Sequence, residues 1–245
     1  SLEEKIYLER KEQINLCIDT DWYPFEKNDN GKHIGISADY FKIFQKSLTI
    51  PIKLINTSSW SESLEYTKNR KCDILPLAMP TPKRKEYLNF TSPYLKVPLV
   101  LATKLNIPYI DNLNILKDET IAVVKDYAYN EILRNKYSNF NIINVENTNE
   151  GLQKVANGEI FGFIGTLPTV GYRFQKDFIG ELKISGKFDE TWELGVAVRN
   201  DDMILLNIFE ILYSKFINEE FFSLFNFIFY ITYIFSKRNQ LLVFW

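Results

Sequence analysis

The residues with the clearest chemistry lie in TPKRKEYLNFTSPY, from Thr81 to Tyr94. Arg84 offers a planar guanidinium, which gives a carboxylate two parallel charge-assisted hydrogen bonds where a lysine ammonium gives a point charge. Thr81, three residues earlier, brings a hydroxyl. Trp22, Tyr23 and Phe25 follow the strand-like INLCID, and Trp60 follows PIKLI. Rings in such loops wall a cleft and present a face to a ligand cation. Asp19 and Asp21, beside Trp22, form the most tempting pair of acids for glycosidase-like chemistry, although acids at a strand end more often form turns or caps. Asp126 to Tyr129 opens a helix directly after TIAVVK. The free amides there suit an anion, with Asp126 itself expected as the cap.

Other chemistry is excluded by what is missing. There is no nucleophile elbow, phosphate-binding glycine loop, zinc-protease motif or dinucleotide fingerprint. The single histidine, His33, removes the usual general base. The chain is therefore expected not to be an enzyme and to use neither cofactor nor metal. With 29 Lys plus Arg against 31 Asp plus Glu and no basic block, nucleic acid is not an expected partner. Cys17 and Cys72 lack zinc-site spacing. They read as one buried disulfide or two buried thiols, the thiols being preferred.

Positioning these residues requires an alternation of strands and helices. INLCID, PIKLI and CDILPLA read as strands, separated by the helical SADYFKIFQKSL and WSESLEYTKN, a βαβαβ unit with a parallel sheet. Ser37 is placed to cap the first helix, and Ser59 with Glu62 has capping-box spacing in the second. PYLKVPLVLATK then reads as a strand leaving for another lobe, crossing near 103–106. TIAVVK, NIINVE, IFGFIG and ELKISGKF continue as strands between further helices, and Gly158 lies beyond the helix that Asn147 and Glu150 open. ELGVAVRND returns, and ILLNIFEILYSKF packs back as a helix. The result is an α/β clamshell, with ligand contacts expected at the carboxyl ends of its strands. Residues 1–103 with 196–220 form the first lobe, 104–195 the second, and 221–245 an apolar tail.

That tail contains an apolar run of about 15 residues, short of the roughly 20 that span a bilayer. It reads as a core helix, a truncated terminus or a marginal membrane anchor. The opening SLEEKIYLERKEQ lacks a signal peptide's basic start and apolar run, as if the chain begins after a removed or omitted targeting segment.

In order along the chain, DTDWYPFE, NGKHIGISADYFKIF, TPKRKEYLNFTSPY and ELGVAVRND resemble the family 3 bacterial extracellular solute-binding proteins, which include the polar amino-acid receptors. The opening EEKIYLERKEQINLCIDTDWYPFE looks like the branch that precedes a membrane helix in sensor histidine kinases and diguanylate cyclases. The resemblance implies a hinged two-lobe fold outside the cytoplasm, in the periplasm or its equivalent. It also implies a small carboxylate ligand, an amino acid or organic acid, held by Arg84. Thr81, Ala78, Trp22, Tyr23 and Trp60 would line the cleft from the first lobe, and Tyr127, Gly165 and Thr166 from the second. The expected partner is a membrane-linked signalling domain, with membrane contact through the tail. The alternatives are a free receptor serving an ABC permease, an enzyme on this fold such as a dehydratase or lytic transglycosylase, and a domain whose cleft is filled by protein and serves coupling.

The sequence departs from the amino-acid receptors at two places. Gly165 and Thr166 stand where those receptors place an Asp for the ligand's ammonium. Met79 and Pro80 precede the Thr-x-x-Arg pattern, and proline donates no hydrogen bond. Asp19 or Glu193 would have to supply an acid from another direction.

Overall fold

Short apolar runs rich in Ile, Leu and Val, separated by amphipathic stretches, fold into strands alternating with helices because each strand must bury both faces under helices. A computed structural model describes residues 1–218; the apolar tail lies outside the described residues. Helix α1 (Leu2–Lys11) is capped by Ser1 and Glu4 acting reciprocally. The first lobe follows with β1 (Ile14–Leu16), a three-stranded meander of β2 (Asp21–Trp22), β3 (Glu26–Asp29) and β4 (Lys32–Ile34), α2 (Ile36–Ser47), β5 (Ile52–Leu54), α3 (Trp60–Lys68), β6 (Ile74–Ala78), the short α4 (Pro82–Lys85) and β7 (Leu88–Phe90).

Strand β8 (Leu95–Lys104) carries the chain to the second lobe. After a 3-10 turn come β9 (Thr120–Val124), α5 (Ala128–Lys136), β10 (Asn141–Val145), α6 (Thr148–Asn157), β11 (Gly162–Thr166) and α7 (Leu167–Asp177). Strand β12 (Leu182–Arg199) returns, and α8 (Met203–Asn218) packs on the first lobe. The strand order is β10-β9-β11-β8-β12-β6-β1-β5, with β7 also on β12. Strand β12 thus pairs with strands of both lobes, and β8 lies between it and β11. From Leu99, β8 is already paired with β11, ahead of the crossover expected at 103–106. The two separate strands expected in ELKISGKF and ELGVAVRND are one strand, whose irregularities fall between Ile184 and Gly186, Lys187 and Thr191, and Gly195 and Ala197. Such bulges let one strand bend between sheets without ending.

Two local expectations are corrected. Gly35, not Ser37, caps α2, because its φ of 109° and the approach of the Phe25 carbonyl, 2.6 Å from where a Cβ would sit, leave room for glycine alone. Ser37 instead lies buried in the helix and donates to Glu26. Cys17 and Cys72 form a disulfide, not two thiols. Cys17 follows β1 and Cys72 precedes β6, parallel neighbours that bring the two Cα atoms to 5.8 Å. Ser59, Asn147 and the left-handed Gly158 cap their helices as expected.

Helix α1 is bound to the first lobe by polar contacts. Tyr7 donates to Asp202 at 2.5 Å, and Lys11 reaches Asp73 at 3.0 Å and Asp202 at 3.1 Å. Among the described residues no helix is long and apolar enough to cross a membrane.

Candidate functional site

The strand ends of both lobes meet at one seam. Strand β6 delivers Leu77 and Met79 to it, and the Thr81 hydroxyl caps α4 by accepting the Arg84 amide. That short helix turns the Arg84 side chain inward, where it is buried rather than solvated beside Lys83, Lys85 and Glu86. One guanidinium nitrogen donates to the Met79 carbonyl at 2.8 Å. The other donates across the seam to the Asp126 carbonyl, also at 2.8 Å. The guanidinium carbon lies 5.3 Å from the Trp60 ring centre, and the Trp60 indole N–H donates to the same Asp126 carbonyl at 3.2 Å.

Asp126 does not cap α5. Its φ is 60°, a left-handed turn that Asp tolerates better than most residues and that aims its carbonyl at the first lobe. Its carboxylate accepts from Ser61 at 2.6 Å, and Tyr127 takes the cap position without a side-chain bond to the helix amides. Burial lowers the Arg84 pKa to about 10, and the nearby Tyr87, Glu131, Asp126 and Tyr127 offset this only in part. The cation is thus desolvated and satisfied by neutral carbonyls rather than by a carboxylate.

Beside Arg84 the seam is aromatic and acidic. Trp22 lies 5.0 Å from Trp192 and 6.0 Å from Tyr127, centre to centre, and its indole N–H donates to Thr166 at 3.3 Å. Tyr127 donates to Asp19 at 2.5 Å. Burial pushes the Asp19 carboxyl up to about 6 against the opposing pull of that bond. At the rim, Arg173 of α7 grips both oxygens of Asp21 at 2.8 Å, and Tyr23 meets Tyr172. The space enclosed by Asp19, Trp22, Trp60, Leu77, Met79, Arg84, Tyr127, Trp192 and Leu194 is only about 10 Å³. On the outer side of Arg84 a recess of about 470 Å³ opens between Lys83, Asp126, Asn130 and Arg134.

The seam therefore gathers Arg84, Trp22, Trp60, Tyr127 and Thr166, with Tyr23 at its edge and Thr81 beneath α4. Ala78 and Gly165 are not brought in. Ala78 is buried opposite Gly195 while its neighbours Leu77 and Met79 face the seam, as strand alternation requires. A side chain at Gly165 would enter the second lobe's core, where the Phe163 ring is 2.7 Å and Val170 3.1 Å from a Cβ. Glu193 points outward and pairs with Lys96 at 2.6 Å, so Asp19 is the acid that reaches the seam. Sequence reading missed Trp192, Arg173 and the partnership of Tyr127 with Asp19. The alternation of Trp192 with Leu194 in TWELGV was the available signal, since both face inward. The described residues contain no cluster of three or more metal-ligating side chains.

Residues 14–239 match the model of the bacterial extracellular solute-binding proteins, family 3. Over 175 residues the chain is 22% identical to the virulence sensor protein BvgS of Bordetella pertussis, covering 71% of this chain and 14% of that protein. Its fold superposes on the VFT2 periplasmic domain of BvgS with a TM-score of 0.79 at 20% identity, over 87% of this chain and 92% of that domain. The membrane-bound lytic murein transglycosylase F of Shewanella sp. strain MR-4 is 26% identical over 168 residues, 65% of this chain and 35% of the transglycosylase. Holo ArgBP from T. maritima superposes with a TM-score of 0.74 at 18% identity, over 91% of this chain and 99% of ArgBP. The chain thus spans well under two thirds of either curated relative. On the family match and this two-lobed seam, the chain belongs to the bacterial extracellular solute-binding proteins, family 3.

Proposed function

We propose that this chain is the extracytoplasmic sensory domain of a membrane-linked signalling protein and that it takes a carboxylate-bearing solute on Arg84. The observation that carries this reading is the bond from the Arg84 guanidinium to the Asp126 carbonyl across the seam. A neutral oxygen there holds one branch of a fork suited to a carboxylate, and exchanging it for a carboxylate supplies the charge that the buried cation lacks. About 10 Å³ admits no solute, so binding requires the lobes to part and the solute to compete with Asp126 for Arg84.

The sensor role is supported by likeness to BvgS in both sequence and fold. A binding rather than catalytic role is supported by the two acids at the seam. Asp19 is engaged by Tyr127 and Asp21 by Arg173, which leaves neither placed as a free acid and base pair. Calorimetry of amino acids and small organic acids against the chain and its Arg84→Gln variant tests the reading. At least one carboxylate should bind, and the variant should weaken it about 100-fold, in line with losing a buried charge-assisted pair. Binding that the variant leaves unchanged, or no binding by any carboxylate, overturns it.

A further inference from the structure

Asp19 sits at the seam as a buried acid with no cation in bonding contact. One carboxylate oxygen accepts from Tyr127 of the opposite lobe, and the other accepts the Asp21 amide at 3.0 Å. The charged and titratable groups facing it are Arg84 from α4, Asp21 from β2, Glu26 from β3, Tyr127 ahead of α5 and Tyr129 within it. Arg84 is committed to two carbonyls and Asp21 to Arg173, so Asp19 carries its charge in the seam on hydrogen bonds and on the attraction of an Arg84 that does not bond to it. Tyr127 belongs to the opposite lobe, so a parted arrangement would remove it from Asp19 and open that face of the carboxylate to water.

We propose that the burial of Asp19 where the lobes meet, against Tyr127, is a proton-gated latch, so that mild acid holds the two lobes together and neutral pH releases them. A protonated Asp19 can keep its contact with Tyr127 without a desolvated charge, whereas an ionised Asp19 favours the parted, solvated arrangement. The closed arrangement raises the Asp19 carboxyl to about 6 from an ordinary 3.8, chiefly by burial. A group that binds its proton more tightly when closed strengthens closure as pH falls between those two values. With 3.8 for the parted state, the closed-to-open ratio rises about tenfold between pH 7.5 and pH 5.

The neighbouring acids do not produce this response. Glu26 is fully buried within the first lobe, holding the Asp19 amide at 2.8 Å and the Ser37 hydroxyl at 3.0 Å, and it keeps these partners whether the lobes are together or apart. Burial lowers His33 to about 4, and its ring meets Ser37 in that same lobe. The latch holds whatever solute the domain takes, so it stands or falls separately from the carboxylate reading.

The test places one spin label on each lobe, through Lys68→Cys and Gln153→Cys, both exposed, and reads the interlobe distance from pH 4.5 to 8. An added Arg173→Ala removes the rim ion pair and shifts the ratio toward the parted arrangement. The closed fraction should rise in acid with the tenfold change in ratio. Asp19→Asn should flatten the profile. Tyr127→Phe, which removes the bond that holds the Asp19 pKa down, should move the midpoint to higher pH. A distance distribution unchanged with pH, an Asp19→Asn profile equal to that of the parent, or a Tyr127→Phe midpoint moved to lower pH overturns the proposal.

Discussion

Replacing Arg173 by Ala should open the domain without unfolding it. Arg173 and Asp21 come from opposite lobes and share two bonds of 2.8 Å, with side-chain exposures of 11% and 34%. Exposed ion pairs contribute up to about 1 kcal/mol, and charge-assisted bonds shielded from water about 1.5–3 kcal/mol. A half-shielded pair in which one guanidinium nitrogen serves both carboxylate oxygens falls at about 1–2 kcal/mol, which shifts a two-state equilibrium about 5- to 30-fold toward the parted form. The second contact of Arg173, to Asp177 at 3.2 Å, lies within α7 and survives opening, so it adds nothing to the shift. Small-angle scattering reads the change as a larger radius of gyration, and thermal unfolding reads how much folding stability is lost. The decisive measurement is the double-mutant cycle with Asp21→Asn. The two changes should be strongly non-additive in the closed-to-open ratio, because either alone removes the same pair. Additive effects, or a radius that does not move, would refute the assignment of this pair to closure.

Three further outcomes are expected. Removing both cysteines, Cys17→Ala with Cys72→Ala, opens a loop of 55 residues and should lower unfolding free energy by about 4 kcal/mol on the chain-entropy estimate, read by denaturant titration. Gly151→Ala would drive a methyl into the Phe163 ring between α6 and β11 and should cost about 1–3 kcal/mol by overpacking, whereas Gly171→Ala, which meets nothing within 4 Å, should leave the midpoint unchanged or raised. Gly165→Asp, which copies the acid of the amino-acid receptors, should destabilise the second lobe rather than create an ammonium site, since its side chain enters the core beside Phe163 and Val170; improved amino-acid affinity in calorimetry would count against that placement.

The alternating elements were legible because burial imposes its period on short segments. ILPLA, TIAVV and GFIGT are largely apolar over the length of a strand, INL alternates, and Ser59 and Asn147 mark helix starts by chemistry local to a few residues. What was not legible depended on pairs distant in the chain. The bond between Cys17 and Cys72 follows from β1 lying beside β6, which no local pattern records. Asp126 has a cap's composition and position, but its left-handed backbone and its contacts with Ser61, Trp60 and Arg84 come from the opposing lobe. Arg84 could be singled out as an anion-binding cation, whereas the carbonyl that it meets could not, because a main-chain oxygen has no signature in sequence.

The two strands that join the lobes determine how any motion is carried. Strands β8 and β12 run antiparallel as a hydrogen-bonded ribbon through the junction, with pairs from Leu95 opposite Leu194 to Lys104 opposite Leu182. Such a ribbon acts as a torsion bar rather than a swivel, stiff to stretching and compliant mainly to twist. Its compliance concentrates where pairing is interrupted, at 184–186, 187–191 and 195–197. Because β12 continues within four residues into α8, any twist of the ribbon bears directly on the start of the last described helix.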